Sequence, residues 1–401
     1  MLPDIDFLPK SQFLLNNLLL FGVLLFAGLL SGHFFSSILR LPRIVGFVVV
    51  GMLLGPSGLK WLSEPMLGNA QVFVDIGLGL VLYELGNRLD LRWFTRDRWL
   101  LATGLAESGF AFACIFFALY ALNVPPLNAA LLAALGVSTS PAVLTQLTRE
   151  LRAEGQVTER ALAFTALDNV IAFFLIAMLL PVLHMEHRAS TATVVLHPLY
   201  LLAGSALLAL IVSVLGIKLA ALLGKREGNH FILIVSLVLI AVGAAEALKV
   251  SVLLTLLIFG ILTRNLDKQR SLMPVEFGRG GELFIVVLFV VSGARLRLGP
   301  SLDVAWIGAV LLVARFLGKG IGIALFARTG TLGWRGSWNL NLAMQPLTGA
   351  VLISILGMTD NYPAVGANLA AALMLALAVL EIFGPPVAQW GLQRANETHP
   401  A

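Results

Sequence analysis

Asp168 and Asn169 stand side by side in FTALDNVIAFFLIAMLLP, residues 164–181, a run otherwise built almost wholly of apolar side chains. A carboxylate on a helix inside a bilayer costs about 2.5–3.5 kcal/mol even on the most lenient scale, so its presence asks for a task. Burial favours the neutral form of such a group and a neighbouring cation favours the charged form; a carboxylate balanced between the two can trade a proton for a cation. Two cations lie on another apolar run. ARFLGKGIG, residues 314–322, sets Arg315 and Lys319 four residues apart, on one face of a helix. Arg315 keeps its charge at any relevant pH, whereas Lys319 can release a proton. Either can pair with Asp168, give way when an ion binds and return when it leaves. The plainer alternatives are a structural hydrogen bond or salt bridge for Asp168, a fixed ion pair bracing two helices for Arg315, and an ammonium reaching toward the interface for Lys319.

Glu84, Glu107 and Glu381 also fall inside apolar runs, each open to a role as salt-bridge partner or as part of an ion path. Glu107 reads as a supporting partner behind the ion-binding groups. His184, His187 and His197 cluster at one loop, which favours a solvated loop over a metal or pH-sensing site. Cys114 is the only cysteine, so neither an intrachain disulfide nor a cysteine-based metal or redox motif is available. No nucleophile–base pair and no metal-ligand spacing appears. The expectation is a protein that is not an enzyme, with no catalytic residues, metal site or cofactor.

The elements that must carry these residues are membrane helices. Of 401 residues, 58% are hydrophobic and 12% charged, and the mean hydropathy is +0.91. A soluble domain is about half apolar and a quarter charged. The apolar runs are continuous and about 20 residues long, which selects helices over a barrel. They fall at roughly 13–38, 42–57, 70–87, 99–122, 126–147, 160–183, 197–222, 229–246, 250–265, 281–296, 303–327, 335–357 and 363–392, giving an all-α polytopic protein of about thirteen spans. The first run is read as a retained helix, since the acidic MLPDIDFLPK before it lacks the basic start of a cleaved signal. With the N-terminus outside, the outer loops hold only Lys10, Lys60, Arg188, Lys249, Arg295 and Arg297, and every other loop cation lies inside. That bias predicts an N-out, C-in topology. The net charge of +5 is spread over these loops without a basic cluster, so it orients the chain in the bilayer and excludes nucleic acid as a partner.

The two halves resemble each other. Gly86 in VLYELGNRLDL lies over Gly293 in VVSGARLRL at an offset of 207 residues, and Gly51 over Gly260 at 209. Pro141 in GVSTSPAVL lies over Pro346 in LAMQPLTGAVL at 205. The offset carries an inside loop onto an outside one, which predicts an inverted repeat, roughly 42–183 and 250–392, within a single membrane domain spanning the chain. Both prolines interrupt apolar runs among small polar residues: Ser138, Thr139 and Ser140 in one, Gln345, Thr348 and Gly349 in the other. Proline removes an amide hydrogen and clashes with the preceding turn. Paired interruptions offer unpaired backbone groups and helix-dipole ends to an ion at mid-membrane; ordinary proline kinks are the alternative.

These stretches together with LRLPRIVGFVVVGMLLGPSGL (39–59) and VDIGLGLVLYELGNRLDLRWF (74–94) make nearly the whole chain similar to the membrane domain of bacterial monovalent cation:proton antiporters. The resemblance implies a sodium/proton antiporter-like fold with two crossed broken helices, a homodimer in the cell membrane, and elevator-like exchange of Na⁺ or K⁺ for protons. It also exposes departures. The family usually places Asp-Asp, Asn-Asp or Gln-Asp at residues 168–169, with the second aspartate indispensable, and a lysine at 315. Here Asn169 and Arg315 take those places, and neither can release a proton. The long nucleotide-binding tail of the K⁺ efflux members is not in the sequence. Three readings remain: a secondary antiporter that uses Asp168 with Lys319, a transport-deficient relative with a sensor or regulatory role, and a transporter of another ion, such as an anion drawn to Arg315.

Overall fold

The computed structural model describes residues 17–185, 191–224, 227–268, 272, 279–296, 302–327, 332–347 and 367–399. Their regular structure is helical throughout: α1 Asn17–Ser37, α2 Arg43–Leu54, α3 Glu64–Asn69, α4 Gln71–Arg88, α5 Leu91–Arg96, α6 Arg98–Ala121, α7 Pro126–Val137, α8 Pro141–Glu150, α9 Gln156–Met185, α10 Thr191–Leu223, α11 Glu227–Ala247, α12 Val252–Leu266, α13 Arg279–Arg295, α14 Leu302–Leu325, α15 Gly333–Ala343 and α16 Ala367–Arg394. Among the described residues, eight spans are long and apolar enough to cross a membrane, the α7–α8 pair counting as one. The described part of each of the thirteen apolar runs falls on a helix or a helix pair; the run at 13–38 is described from residue 17, that at 335–357 to residue 347 and that at 363–392 from residue 367. The short α3 and α5, which periodicity did not announce, lie in connections.

The break between α7 and α8 follows from its residues. Ser138 leaves the helix with ψ 145°, and Pro141 supplies no amide hydrogen. Ser140 then caps α8, its Oγ accepting from the Val143 amide at 3.3 Å, with Pro141 at the first helical position, where its fixed φ suits a helix start. Every residue from 128 to 148 is buried, so this broken helix is enclosed along most of its length. The partner run stops at Ala343, and Ser140 N donates to Pro346 O at 2.9 Å, joining the two breaks. Thr348 and Gly349 lie outside the described residues.

The helices pack as two groups. In one, α6 lies along α14, α7 packs between α6 and α9, and α16 packs on α14 and α15. In the other, α2 pairs with α13, α4 with α12, α1 packs on α2, α10 on α12, and α11 on α10 and α4. Glycine lets the helix pairs of the second group approach closely. A Cβ on Gly51 would collide with Val290 O, and one on Gly293 with Val48 O; likewise Gly260 with Tyr83 O, and Gly86 with Leu257 O. These two sets of collisions are related by the same offsets of 207 and 209 residues that align the halves of the sequence.

Beyond α16 the chain folds back on the start of α9. The Glu397 carboxylate accepts from the amides of Val157 and Thr158 and from Thr158 Oγ1, each at 2.8 Å. Glu397 O accepts from Glu154 N at 2.9 Å, and His399 N donates to Leu151 O at 3.0 Å. A carboxylate on the free amides of a helix start is favourable for both hydrogen bonding and the helix dipole.

Candidate ion-binding site

Asp168 sits about three turns into α9, with none of its surface exposed. Its Oδ1 accepts from Ser108 Oγ of α6 at 2.7 Å. Its Oδ2 accepts from Thr139 Oγ1, in the α7–α8 break, and from Lys319 Nζ of α14, both at 2.7 Å. The Lys319 ammonium also bonds Glu107 Oε1 and donates to Thr139 Oγ1 at 3.1 Å, so all three of its donors are placed. Glu107 and Lys319, like Asp168, are wholly buried. One ammonium thus bridges two carboxylates beside a helix break, out of reach of water. Such an arrangement is tolerable only because every charge has hydrogen-bonded partners.

Arg315, one turn earlier on α14, does something else. Its Nε donates to Gly136 O at 2.8 Å, Nη1 to Gln345 O at 2.8 Å and Gln345 Oε1 at 3.3 Å, and Nη2 to Ser138 O at 2.9 Å and Met344 O at 3.3 Å. Those five bonds use all five guanidinium donors. Four acceptors are main-chain carbonyls at the C-terminal ends of α7 and α15, where helix dipoles present negative charge and carbonyls lack helical partners. Arg315 therefore pins the two breaks together and has no donor left for Asp168. This corrects the expectation that Arg315 pairs with the aspartate; it braces helices, but through carbonyls. Lys319 is the counter-ion, and the alternative in which it reaches for the interface is overturned by its complete burial.

Asn169 Nδ2 donates to Thr139 O at 2.8 Å and Thr165 O at 2.7 Å, while its buried Oδ1 has no hydrogen-bond partner. Thus Asp168, not its neighbour, faces the ammonium, and Asn169 contributes a free acceptor oxygen alongside. Glu107 stands closer to the chemistry than the supporting place assigned to it, since it touches Lys319 directly. Ser108 was not anticipated at all; its only signal was adjacency to Glu107. Of the broken-helix residues, Thr139 reaches the carboxylate, Ser138 and Gln345 hold Arg315, and Ser140 and Pro346 join the breaks. Gln345 Nε2 in turn donates to Asn341 O at 2.8 Å and Asn341 Oδ1 at 3.0 Å.

The other buried carboxylates lie apart from this cluster. Glu84 accepts from Arg88 at 3.0 Å and from Arg149, and Glu381 accepts from Ser292 Oγ at 2.7 Å. His187 and the His184 side chain lie outside the described residues.

A family model described as "Sodium/hydrogen exchanger, transmembrane" matches residues 21–390. The chain belongs to that family. Among curated proteins it is similar to the Na(+)/H(+) antiporter NhaS5 of Synechocystis, with 26% identity over 368 residues that cover 89% of this chain and 49% of the relative. The chain spans about half the length of that relative. Among solved structures, the sodium proton antiporter MjNhaP1 of Methanocaldococcus jannaschii superposes with a TM-score of 0.75 at 15% identity, covering 95% of this chain and 98% of that one. An electron-microscopy structure of the same protein gives 0.73 at 16% identity with the same coverage. The likeness establishes the fold: the chain is an all-helical, multi-pass membrane protein with the architecture of a sodium/hydrogen exchanger. The Asp168–Lys319–Glu107 cluster and the Arg315 pin lie beside the α7–α8 break of this chain.

Proposed function

We propose that the chain exchanges a monovalent cation, Na⁺ or K⁺, for protons by alternating access, with Asp168 as the shared binding group and Lys319 as the proton carrier. The observation that carries this reading is the buried Lys319 ammonium held by Asp168 Oδ2 at 2.7 Å beside a broken helix. A cation entering at Asp168 displaces the ammonium from the carboxylate. Lys319 then gives up one proton and stays as a neutral amine, while Thr139 Oγ1, Ser108 Oγ and the free Asn169 Oδ1 supply further oxygens to the ion. Before and after, the cluster of Asp168, Glu107 and one positive species carries the same charge. Neither form has a different cost of crossing the low-dielectric interior, which favours one-for-one, electroneutral exchange. Arg315 keeps its charge and its carbonyls throughout, so its failure to titrate is no obstacle.

The inverted repeat within one membrane domain belongs to the same proposal. The reciprocal glycine approaches of α2 on α13 and α4 on α12, together with the Ser140–Pro346 bond, support it, because exchanging the two halves turns each helix pair into the other. The loop charges support an N-out, C-in orientation in a bacterial cell membrane, and homodimerisation is carried over from the family.

The test is proton flux in proteoliposomes under opposed Na⁺ or K⁺ gradients. Wild-type protein acidifies or alkalinises the lumen according to the cation gradient, and Asp168→Asn abolishes the signal. Exchange that persists in Asp168→Asn sinks the assignment. A silent wild type would move the protein to the reading in which Asn169 marks a transport-deficient relative.

A further inference from the structure

The helix that supplies one end of the ion cluster is tied at its other end to the opposite helix group. Helix α8 is a ten-residue rod, about 15 Å long, that starts at the Thr139–Ser140 break and ends in Arg149 and Glu150. These two consecutive, oppositely charged residues reach two different helices. Arg149 Nη2 bonds Glu84 Oε2 on α4, and the other oxygen of Glu84 accepts from Arg88 at 3.0 Å. Glu150 accepts from the Arg43 amide, at the start of α2, at 3.4 Å from each carboxylate oxygen, with Arg43 Nε at 3.9 Å. Arg43 Nη1 lies 3.5 Å from Glu282 of α13. Helices α4, α2 and α13 all belong to the second group; α8 lies between the groups, packing on α9 and α16 of the first and on α4 of the second. The Glu84 side chain is only 11% exposed and that of Arg149 26%, so the inner pair is largely shielded from salt.

We propose that Arg149–Glu84 and Glu150–Arg43 form an ion-pair clasp that holds the two helix groups in the arrangement shown, and that the clasp opens when the ion site is presented to the other face of the membrane. The inference rests on the exchange reading, because alternating access moves one helix group against the other so that the site faces each side of the membrane in turn. Since α8 is buried from Pro141 to Thr148, it transmits movement as a rod. Displacing its charged end therefore displaces Thr139, which touches both Asp168 and Lys319. The pairing is also selective: a slide of α8 along α4 and α2 breaks both ion pairs together, so the clasp has two settings, engaged and released.

The readout is placed far from the clasp, so that local fraying does not register. In a Cys114→Ala background, spin labels go on Tyr120→Cys, at the end of α6, and Leu248→Cys, beyond α11; both native side chains are exposed and lie at the opposite end of the two groups. Pulsed electron resonance gives the distance distribution between groups in lipid nanodiscs. With the clasp intact, one distance dominates. Arg149→Ala raises the ratio of a second distance to the first by about tenfold, the weight of one partly buried pair, and Arg149→Lys, which keeps the charge, returns it toward the parent value. An unchanged distribution in Arg149→Ala overturns the clasp. So does a shift that Arg149→Lys fails to reverse, which would mark Arg149 as packing alone. The measurement needs no transport: a parent protein that carries no cation-driven proton flux, yet shows the reversible shift, refutes exchange and upholds the clasp.

Discussion

Lys319 donates to Asp168 across 2.7 Å while Arg315, four residues earlier on the same helix, bonds neither carboxylate. One helix face thus carries two cations with different partners: one bridges two carboxylates, the other holds main-chain carbonyls. The difference rests on donor bookkeeping. The guanidinium is saturated by carbonyls, and the ammonium is shared between carboxylates.

Removing the bridging cation leaves Glu107 and Asp168 as adjacent buried carboxylates without a counter-charge. Lys319→Met is expected to destabilise the protein by about 3–5 kcal/mol, the usual cost of orphaning a buried ion pair. Adding Glu107→Gln recovers part of that loss, so the two substitutions are strongly non-additive in thermal unfolding of the purified protein. Simple additivity would contradict the bridging geometry.

Arg315→Lys separates charge from geometry. The lysine keeps the positive charge but offers three donors where five are used, and each carbonyl left bare inside the protein costs about 1–3 kcal/mol. A clear drop in melting temperature is expected while cation-driven proton flux survives at reduced rate. Complete loss of coupled flux in a well-folded Arg315→Lys protein would argue that Arg315 takes part in the exchange itself.

Asn169→Asp looks like a return to the family pattern, yet it is expected to harm this protein. Asn169 Nδ2 satisfies two main-chain carbonyls, Thr139 O and Thr165 O, and a carboxylate oxygen in its place would face them without a hydrogen. The expected loss is about 1–3 kcal/mol in stability, read by thermal unfolding, with slower flux per folded molecule. Faster exchange at full stability would show that the second carboxylate was lost from a site still shaped to hold it.

Gly51→Ala and Gly260→Ala are expected to behave as a pair. In each, the new methyl meets a carbonyl of the facing helix rather than a movable side chain, so relief requires the helices to part. A cost of about 1–3 kcal/mol is expected for each, similar in size because the two approaches correspond through the sequence offset. Melting temperatures of the two variants check it, with Gly22→Ala, where nothing lies within 4 Å, as the unaffected control.

How much of this could be read from the residues follows from what sequence encodes directly. Proline at 141 and 346, flanked by small polar residues, announces a break because the missing amide hydrogen and the ring clash are local effects. Hydropathy announces helices for the same reason, and the glycine offsets announce which helix pairs correspond. The division of labour between Arg315 and Lys319 was not legible. Spacing puts both on one face, but which of them meets Asp168 depends on how α14 is rotated against α6 and α9 and on how many carbonyls the breaks leave open. Ser108 was invisible because a serine on a helix is unremarkable until a carboxylate is packed against it. The Glu397 contact was hidden because it joins residues some 240 positions apart, and the tail carries no hydropathy signal.

That last contact has a practical side. The segment after α16 is stitched by side chain and main chain to the first turn of α9, the helix on which Asp168 is mounted. Anything attached beyond His399, such as a fluorescent reporter or an affinity handle, is therefore leashed to the helix that carries Asp168. A reporter attached there reads α9 as much as it reads the protein's presence.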